Sequence, residues 1–111
     1  MTIDVHVRHL HVTPEELEQA RRRAELALDR WSDRISAVTV ELSDTNGRRG
    51  GPDKHVRVQA VLDRRITIRA EDTAVDLEVA VDKATTRLKA GVRHHAERYS
   101  REERRRQGLA G

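Results

Sequence analysis

Cysteine and phenylalanine are both absent from this 111-residue chain, and the aromatics are one Trp and one Tyr. Without cysteine there is no disulfide and no thiolate metal site, and a reducing compartment is the natural setting. With so few rings, the core must be aliphatic: Val, Leu, Ile and Ala around Trp31. Scarce aromatics also argue against stacking on single-stranded bases as a main binding mode. No stretch approaches the roughly 20 apolar residues of a membrane span. The start, Met1-Thr2-Ile3-Asp4-Val5-His6, has neither the basic region nor the apolar region of a secretory signal. The expectation is a cytoplasmic protein with no membrane partner. A chain of this length suits one domain with one modest core.

Charge is what the sequence has in abundance, at 37% of residues. Twenty-two Lys and Arg face nineteen Asp and Glu, a net charge of +3. The two signs are unevenly spread. Glu71, Asp72, Asp76, Glu78 and Asp82 form an acidic block. Lys83, Arg87, Lys89, Arg93, Arg98, Arg101, Arg104, Arg105 and Arg106 follow it. Such asymmetry suggests a polyanion partner. A salt-bridged, Arg-rich surface explains the composition as well, so both readings stand at this level.

Periodicity outlines the elements. Ile3, Val5 and Val7 alternate with Asp4, His6 and Arg8, as in a half-buried strand. Thr13-Pro14-Glu15-Glu16 is a helix start: Thr13 caps, Pro14 suits the first helical position, and Glu16 closes a capping box. Leu17, Ala20, Ala24, Ala27, Leu28 and Trp31 then share one helical face, and the helix should end near Ser32 or Asp33. Val38, Val40 and Leu42 mark a second strand beginning near Ile35. Residues 44–53 hold three glycines and a proline and read as a loop. Val56, Val58, Ala60 and Leu62 mark a third strand, and Asp63-Arg64-Arg65 a hairpin turn into a short fourth at Ile66, Ile68 and Ala70.

A last helix is predicted from Asp72 or Thr73, with Leu77, Ala80, Val81, Ala84, Leu88 and Val92 on its apolar face. Gly91 within it costs roughly 1 kcal/mol against Ala and marks a soft spot. Residues 1–99 are taken as the domain. Residues 100–111, nearly devoid of apolar side chains, are taken as a basic, flexible tail. The fold class is therefore α+β in the order β-α-β-β-β-α. A parallel β1-α1-β2 unit leads into an antiparallel meander, giving a four-stranded mixed sheet with both helices on its one apolar face.

Catalytic signatures are missing. There is no dinucleotide-binding glycine pattern, no Walker loop and no nucleophile elbow. Gly47 to Gly51 lacks the Lys-Ser/Thr ending of a phosphate loop. No spacing forces carboxylates into one pocket. The expectation is no enzyme, no catalytic residue, no cofactor and no small-molecule substrate. His94 and His95 are adjacent, about 100° apart on a helix, and do not chelate one ion; no metal site is expected.

The cations carry more signal. On a helical wheel Lys83, Arg87, His94, Arg98, Arg101 and Arg105 fall within a stripe about 60° wide, beside the apolar face and near the groove between the helices. On the first helix Glu18 and Arg22 are spaced as an i, i+4 pair. Arg23 and Arg30, seven apart on its other flank, have few acids near them in sequence. Two roughly parallel basic ridges are the expectation, with Arg48, Arg49 and Lys54 as further candidate phosphate contacts, against the alternative of a plain flexible loop at Gly47 to Gly51. Arginine suits this task because its planar fork holds phosphate oxygens bidentately. Backbone and shape recognition of structured RNA fits the composition best.

Several segments together resemble a known family. Val12-Thr13-Pro14 before a helix, Trp31-Ser32-Asp33-Arg34-Ile35 and Val38-Thr39-Val40-Glu41-Leu42-Ser43 resemble its opening, its first-helix junction and its second strand. Glu71-Asp72 and Asp76-Leu77-Glu78-Val79-Ala80-Val81-Asp82-Lys83-Ala84 resemble its second helix. The family is that of ribosome hibernation-promoting factors, also called ribosome-associated translation inhibitors or sigma-54 modulation proteins, in a short single-domain form. The likeness spans roughly residues 3 to 99. Glu78 stands where the family usually has Tyr, and the loop 46–54 differs from the best-known members.

The resemblance implies the same β-α-β-β-β-α fold. It also implies a stress-response translation regulator that occupies the mRNA and tRNA channel of the small ribosomal subunit. Lys83 and Arg87 match basic positions of the family's second helix, and Arg23 and Arg30 those of the first. With His94, Arg98, Arg48, Arg49 and Lys54 they are the candidate rRNA contacts. Long members add a C-terminal domain that pairs ribosomes; this chain is expected to be a monomer or weak homodimer that does not act by that route. The alternative is a protein-interaction module of the same fold, using its open sheet face or a strand edge.

Overall fold

The computed structural model describes residues 1–45, 53–63 and 65–110. Along the chain come β1 (Thr2–Arg8), α1 (Pro14–Leu28), a single 3₁₀ turn (Asp29–Trp31), β2 (Ile35–Asp44), β3 (Lys54–Leu62), β4 (Ile66–Ala74) and α2 (Leu77–Ala110). The sheet order is β1-β2-β3-β4. β1 pairs parallel with β2, and β2, β3 and β4 pair antiparallel. The α+β expectation and its element order hold.

Strand alternation decides the two faces. Val5, Val40, Val58 and Ala70 stand in register across the sheet, and His6, Glu41, Arg57 and Glu71 form the next row. Side chains directly opposite one another share a face, and successive ones alternate. The first row and its neighbours point to the helices. Val38, Val40, Leu42, Val56, Val58, Ala60 and Leu62 are wholly buried there. The second row lies on the other, polar face. There Arg57 and His55 both meet Glu71, at 3.3 and 3.2 Å, and Arg8 reaches Glu41 at 3.7 Å.

Both helices cover the apolar face. Thr13 Oγ1 accepts from the Glu16 N–H at 3.1 Å, and Glu16 Oε1 accepts from the Thr13 N–H at 3.1 Å, closing the capping box. α1 buries Ala20, Ala24 and Leu28, and the 3₁₀ turn carries Trp31 into the core. α2 buries Ala80, Val81, Ala84, Leu88, Val92 and Ala96. The small side chains on both helices let them approach the sheet and each other. Gly91 has this role too: a Cβ there would lie 2.7 Å from Ile68 Cγ2. The helical glycine is a close-approach position, set by the β4 side chain beneath it.

Two sequence expectations are corrected. β4 is not short. It runs to Ala74, so Asp72 and Thr73 are strand residues and α2 begins at Leu77. β3 offers nine residues for pairing, and β4 matches it through Lys54↔Ala74. Those ladder bonds outweigh the local helix-start signal at Asp72. On α1, Glu18 pairs with Arg21 at 2.6 Å, not with Arg22, and Arg21 also reaches Glu25 at 2.6 Å.

α2 continues as helix over residues 100–110. Arg, Glu and Gln are good helix formers, which supports this backbone without a core beneath it. The 34-residue helix spans about 50 Å at its standard rise. It projects from the sheet as an arm, so the longest dimension is 63 Å against 23 and 19 Å. Among the described side chains, the last buried one on it is Ala96.

Candidate nucleic-acid interface

The candidate cations do not form one ridge. Arg23 projects from α1 onto α2, where Asp82 takes it at 2.8 Å and Glu78 stands at 3.6 Å. It had few acids near it in sequence, and the fold supplies two from another helix. Glu78, at the family's usual Tyr position, is thus one of the groups facing Arg23.

Lys83 and Arg87 lie on a separate flank of α2, over the end of β4. Lys83 Nζ is 3.2 Å from Asp72 Oδ1, and Arg87 Nε is 3.0 Å from Oδ2. Lys83 also donates to the Thr73 carbonyl at 3.0 Å. Asp72 accepts from the Thr73 N–H at 2.8 Å. That bond first, then Lys83 and Arg87, holds its carboxyl below the usual carboxylate range. The stripe therefore starts on the β4 side of α2. Its start is away from the stretch of groove where Glu78 and Asp82 of α2 face Arg23 of α1, while Arg101, further along the stripe, does line a groove against the end of α1. Two cations share one carboxylate here, so a positive charge remains. Further along, His94 and Arg98 are exposed and meet no carboxylate among the described residues.

The loop cations divide. Arg48 and Arg49 lie outside the described residues. Lys54 opens β3 and is held between Asp53 and Asp44, at 3.1 and 3.3 Å. The hydrogen bond to Asp53, then that to Asp44, raises its ammonium above the ordinary lysine range. Lys54 fastens the ends of β2 and β3, and its charge is offset twice.

Arg30 follows a different course. It sits over the Trp31 ring, 5.7 Å from the centroid, a cation–π arrangement. Beside it is a groove of about 370 Å³ lined by Arg30, Trp31, Arg34, Arg93, Arg101 and Arg104, with Ala96, Glu97 and Ser100. Sequence reasoning did not assign Arg34, Arg93 or Arg104 to a site. The spacing 93, 97, 101, 104 does mark one side of a helix. Which side meets the end of α1 depends on how the helices pack, and the spacing does not contain that.

At this end of the sheet Arg34 pairs with Asp63 at 2.9 Å, and His95 reaches the same carboxylate at 3.3 Å. Arg34 foremost, helped by His95, holds the Asp63 carboxyl below its ordinary range. Asp63 has φ 48°, so the hairpin turn puts its carboxylate between α2 and the start of β2. A second groove, of about 350 Å³, lies at the other end of the helix pair and mixes Leu26, Leu77 and Val81 with Glu16, Arg22 and Glu78. Among the described residues, no group of three or more His, Asp or Glu is placed to hold a metal ion. No helix among them is long and apolar enough to cross a membrane.

Comparison with known proteins fits this geometry. The family model described as sigma 54 modulation protein / S30EA ribosomal protein matches residues 3–100. The crystal structure of the Thermus thermophilus Protein Y N-terminal domain is similar, with a TM-score of 0.70 and 25% identity. The likeness covers 86% of this chain and 99% of that one. A ribosomal subunit interface protein from Coxiella burnetii has the same fold, with a TM-score of 0.66, 21% identity and the same coverage of both chains. No curated protein matches the sequence. Match and fold together make the chain a member of the sigma 54 modulation protein / S30EA ribosomal protein family.

Proposed function

We propose that this protein binds the small ribosomal subunit and inhibits translation by occluding the mRNA and tRNA channel, with α2 against rRNA. Membership of a ribosome-associated family supports the ribosome as partner. One observation carries the RNA contact. Along the outer side of α2, Lys83 and Arg87 share a single carboxylate, and His94 and Arg98 have none among the described residues. Exposed ion pairs are worth about 0–1 kcal/mol. The Arg87 side chain is 67% exposed, and Asp72, 14% exposed, keeps Lys83 as a partner when Arg87 turns to a phosphate. No chemical step is required of the protein, because occupancy alone excludes mRNA and tRNA. Its site of action is the cytoplasm, where ribosomes are.

Co-sedimentation with small subunits at low and high salt tests this reading. Binding should fall steeply with salt, since each phosphate contact releases counterions. Lys83→Glu with Arg87→Glu should abolish it. Equal binding by this variant and the parent ends the proposal. The alternative, a protein-interaction module, has one observation on its side: among the described residues, β1 and β4 are the outer strands of the sheet, each with one edge that pairs with no other strand. The charge-balanced polar face, with Glu71 taken by Arg57 and His55, gives it little further support.

A further inference from the structure

The groove where the α2 arm passes the end of α1 lies apart from the Lys83–Arg87 flank. We infer that it is a second RNA site, a clamp for the phosphate backbone of a duplex segment, with Trp31 in its floor. The inference rests on the reading above, that the protein works on RNA, and adds where and how a separate stretch of backbone is held.

Four arginines carry it. Arg30, Arg93, Arg101 and Arg104 line the groove, and none meets a carboxylate within salt-bridge distance among the described residues. This contrasts with Arg21, Arg23, Arg57, Lys54, Lys83 and Arg87, each of which does. Like charges gathered without counterions destabilise a surface, so the cluster is expected to have an anionic occupant. Among the described residues, Glu97 is the one acid lining the groove.

Geometry favours a polymer over a small anion. Arg93 and Arg104 are eleven residues apart, roughly 16 Å along the helix axis. A single phosphate cannot reach both. A nucleic-acid strand, with a charge every ~3.4 Å of axis, spans that length. Arginine forks suit phosphate oxygens, and Trp31, 9% exposed, offers no open face for base stacking. The expected contact is therefore backbone, not base. An acidic peptide has the right sign but a sparser and irregular charge.

Burial supplies an independent argument. Among the described side chains of α2, none beyond Ala96 is buried, so these residues of the arm add nothing to the core. A helical stretch whose described side chains are all polar and unburied gains its stability from a partner or from side-chain pairs. Arg101 and Arg104 also lie beyond residue 100, where the family match ends, so family membership assigns them no role.

Trp31 is the chain's one tryptophan and reports on its own groove. An occupant that engages Arg30 alters the cation–π contact and hence the fluorescence. The full chain should be titrated with a short RNA hairpin at low salt, reading Trp31 emission, with polyglutamate as the competing probe. Saturable change is expected. Arg101→Glu with Arg104→Glu should weaken the RNA at least about tenfold and lower the salt slope by about two. Arg101→Lys with Arg104→Lys should retain most of the response. Both sites are exposed and past the last buried residue, so folding is unaffected, which circular dichroism checks.

No change in Trp31 emission, reversal variants that titrate like the parent, or polyglutamate displacing RNA at equal charge each overturns the clamp. The ribosome reading fails separately. If the parent does not co-sediment with small subunits but RNA still shifts Trp31, the clamp stands and that reading falls. If it co-sediments and Trp31 is silent, the reverse holds.

Discussion

Arg23 of α1 and Asp82 of α2 stand 2.8 Å apart, fifty-nine residues apart in sequence, and join the two helices across their groove. With Glu78 also facing Arg23, this contact sets one cation against two carboxylates. It is the wrong sign for RNA.

Removing those carboxylates should therefore strengthen binding. Asp82→Asn with Glu78→Gln is expected to raise small-subunit affinity several-fold in moderate salt by co-sedimentation. Thermal stability should change by less than about 1 kcal/mol, because both groups are exposed. Unchanged or weaker binding would show that Arg23 does not approach phosphate.

Acid should loosen the seating of α2 on the sheet, where Asp72 meets Lys83 and Arg87 and Asp63 meets His95. The Asp63 and Asp72 carboxyls sit below the ordinary value of 3.8 in the folded protein. Above that value both are ionised in folded and unfolded chain alike, and their contribution to stability is complete. As pH falls below it, the unfolded chain takes up protons first, and the contribution is lost towards the lower folded value. Denaturant midpoints should drop as pH falls below about 4. Asp63→Asn with Asp72→Asn should be less stable at pH 7 and show a flatter drop.

Gly91 tests packing against propensity. Alanine there gains about 1 kcal/mol of helix propensity. Its Cβ meets Ile68 Cγ2 at 2.7 Å, however, and overpacking costs about 1–3 kcal/mol. Gly91→Ala is expected to be neutral to destabilising by roughly 1 kcal/mol, and Gly91→Val clearly worse. Gly91→Ala with Ile68→Ala should be more stable than the sum of the single effects, which a double-mutant cycle reads directly.

The α1 cap gives a simpler expectation. Thr13→Ala removes the acceptor for the Glu16 N–H and half of the capping box. A loss of about 1 kcal/mol is expected in chemical denaturation. Thr13→Ser should be nearly silent.

Local rules were enough for much of the fold. Alternation at Val38, Val40 and Leu42, the box at Thr13 and Glu16, and the turn at Asp63 depend on neighbours a few residues away. A sequence displays such signals directly. The end of β4 was not legible, because Asp72 and Thr73 carry a good helix-start signal. Their conformation is decided by β3, which offers Val56 and His55 as ladder partners.

Charge shows the division most clearly. The sequence alone determined that cations concentrate after residue 82, that the core is aliphatic and that the element order is β-α-β-β-β-α. Only the tertiary structure decided which cations are offset. It set Asp82 on Arg23 and Asp72 on Lys83 and Arg87, and gathered Arg30, Arg93, Arg101 and Arg104 around Trp31. Electrostatic interaction depends on distance through space. Chain separation predicts that distance within a helix turn or a strand pair, and not between elements that meet only when the core closes.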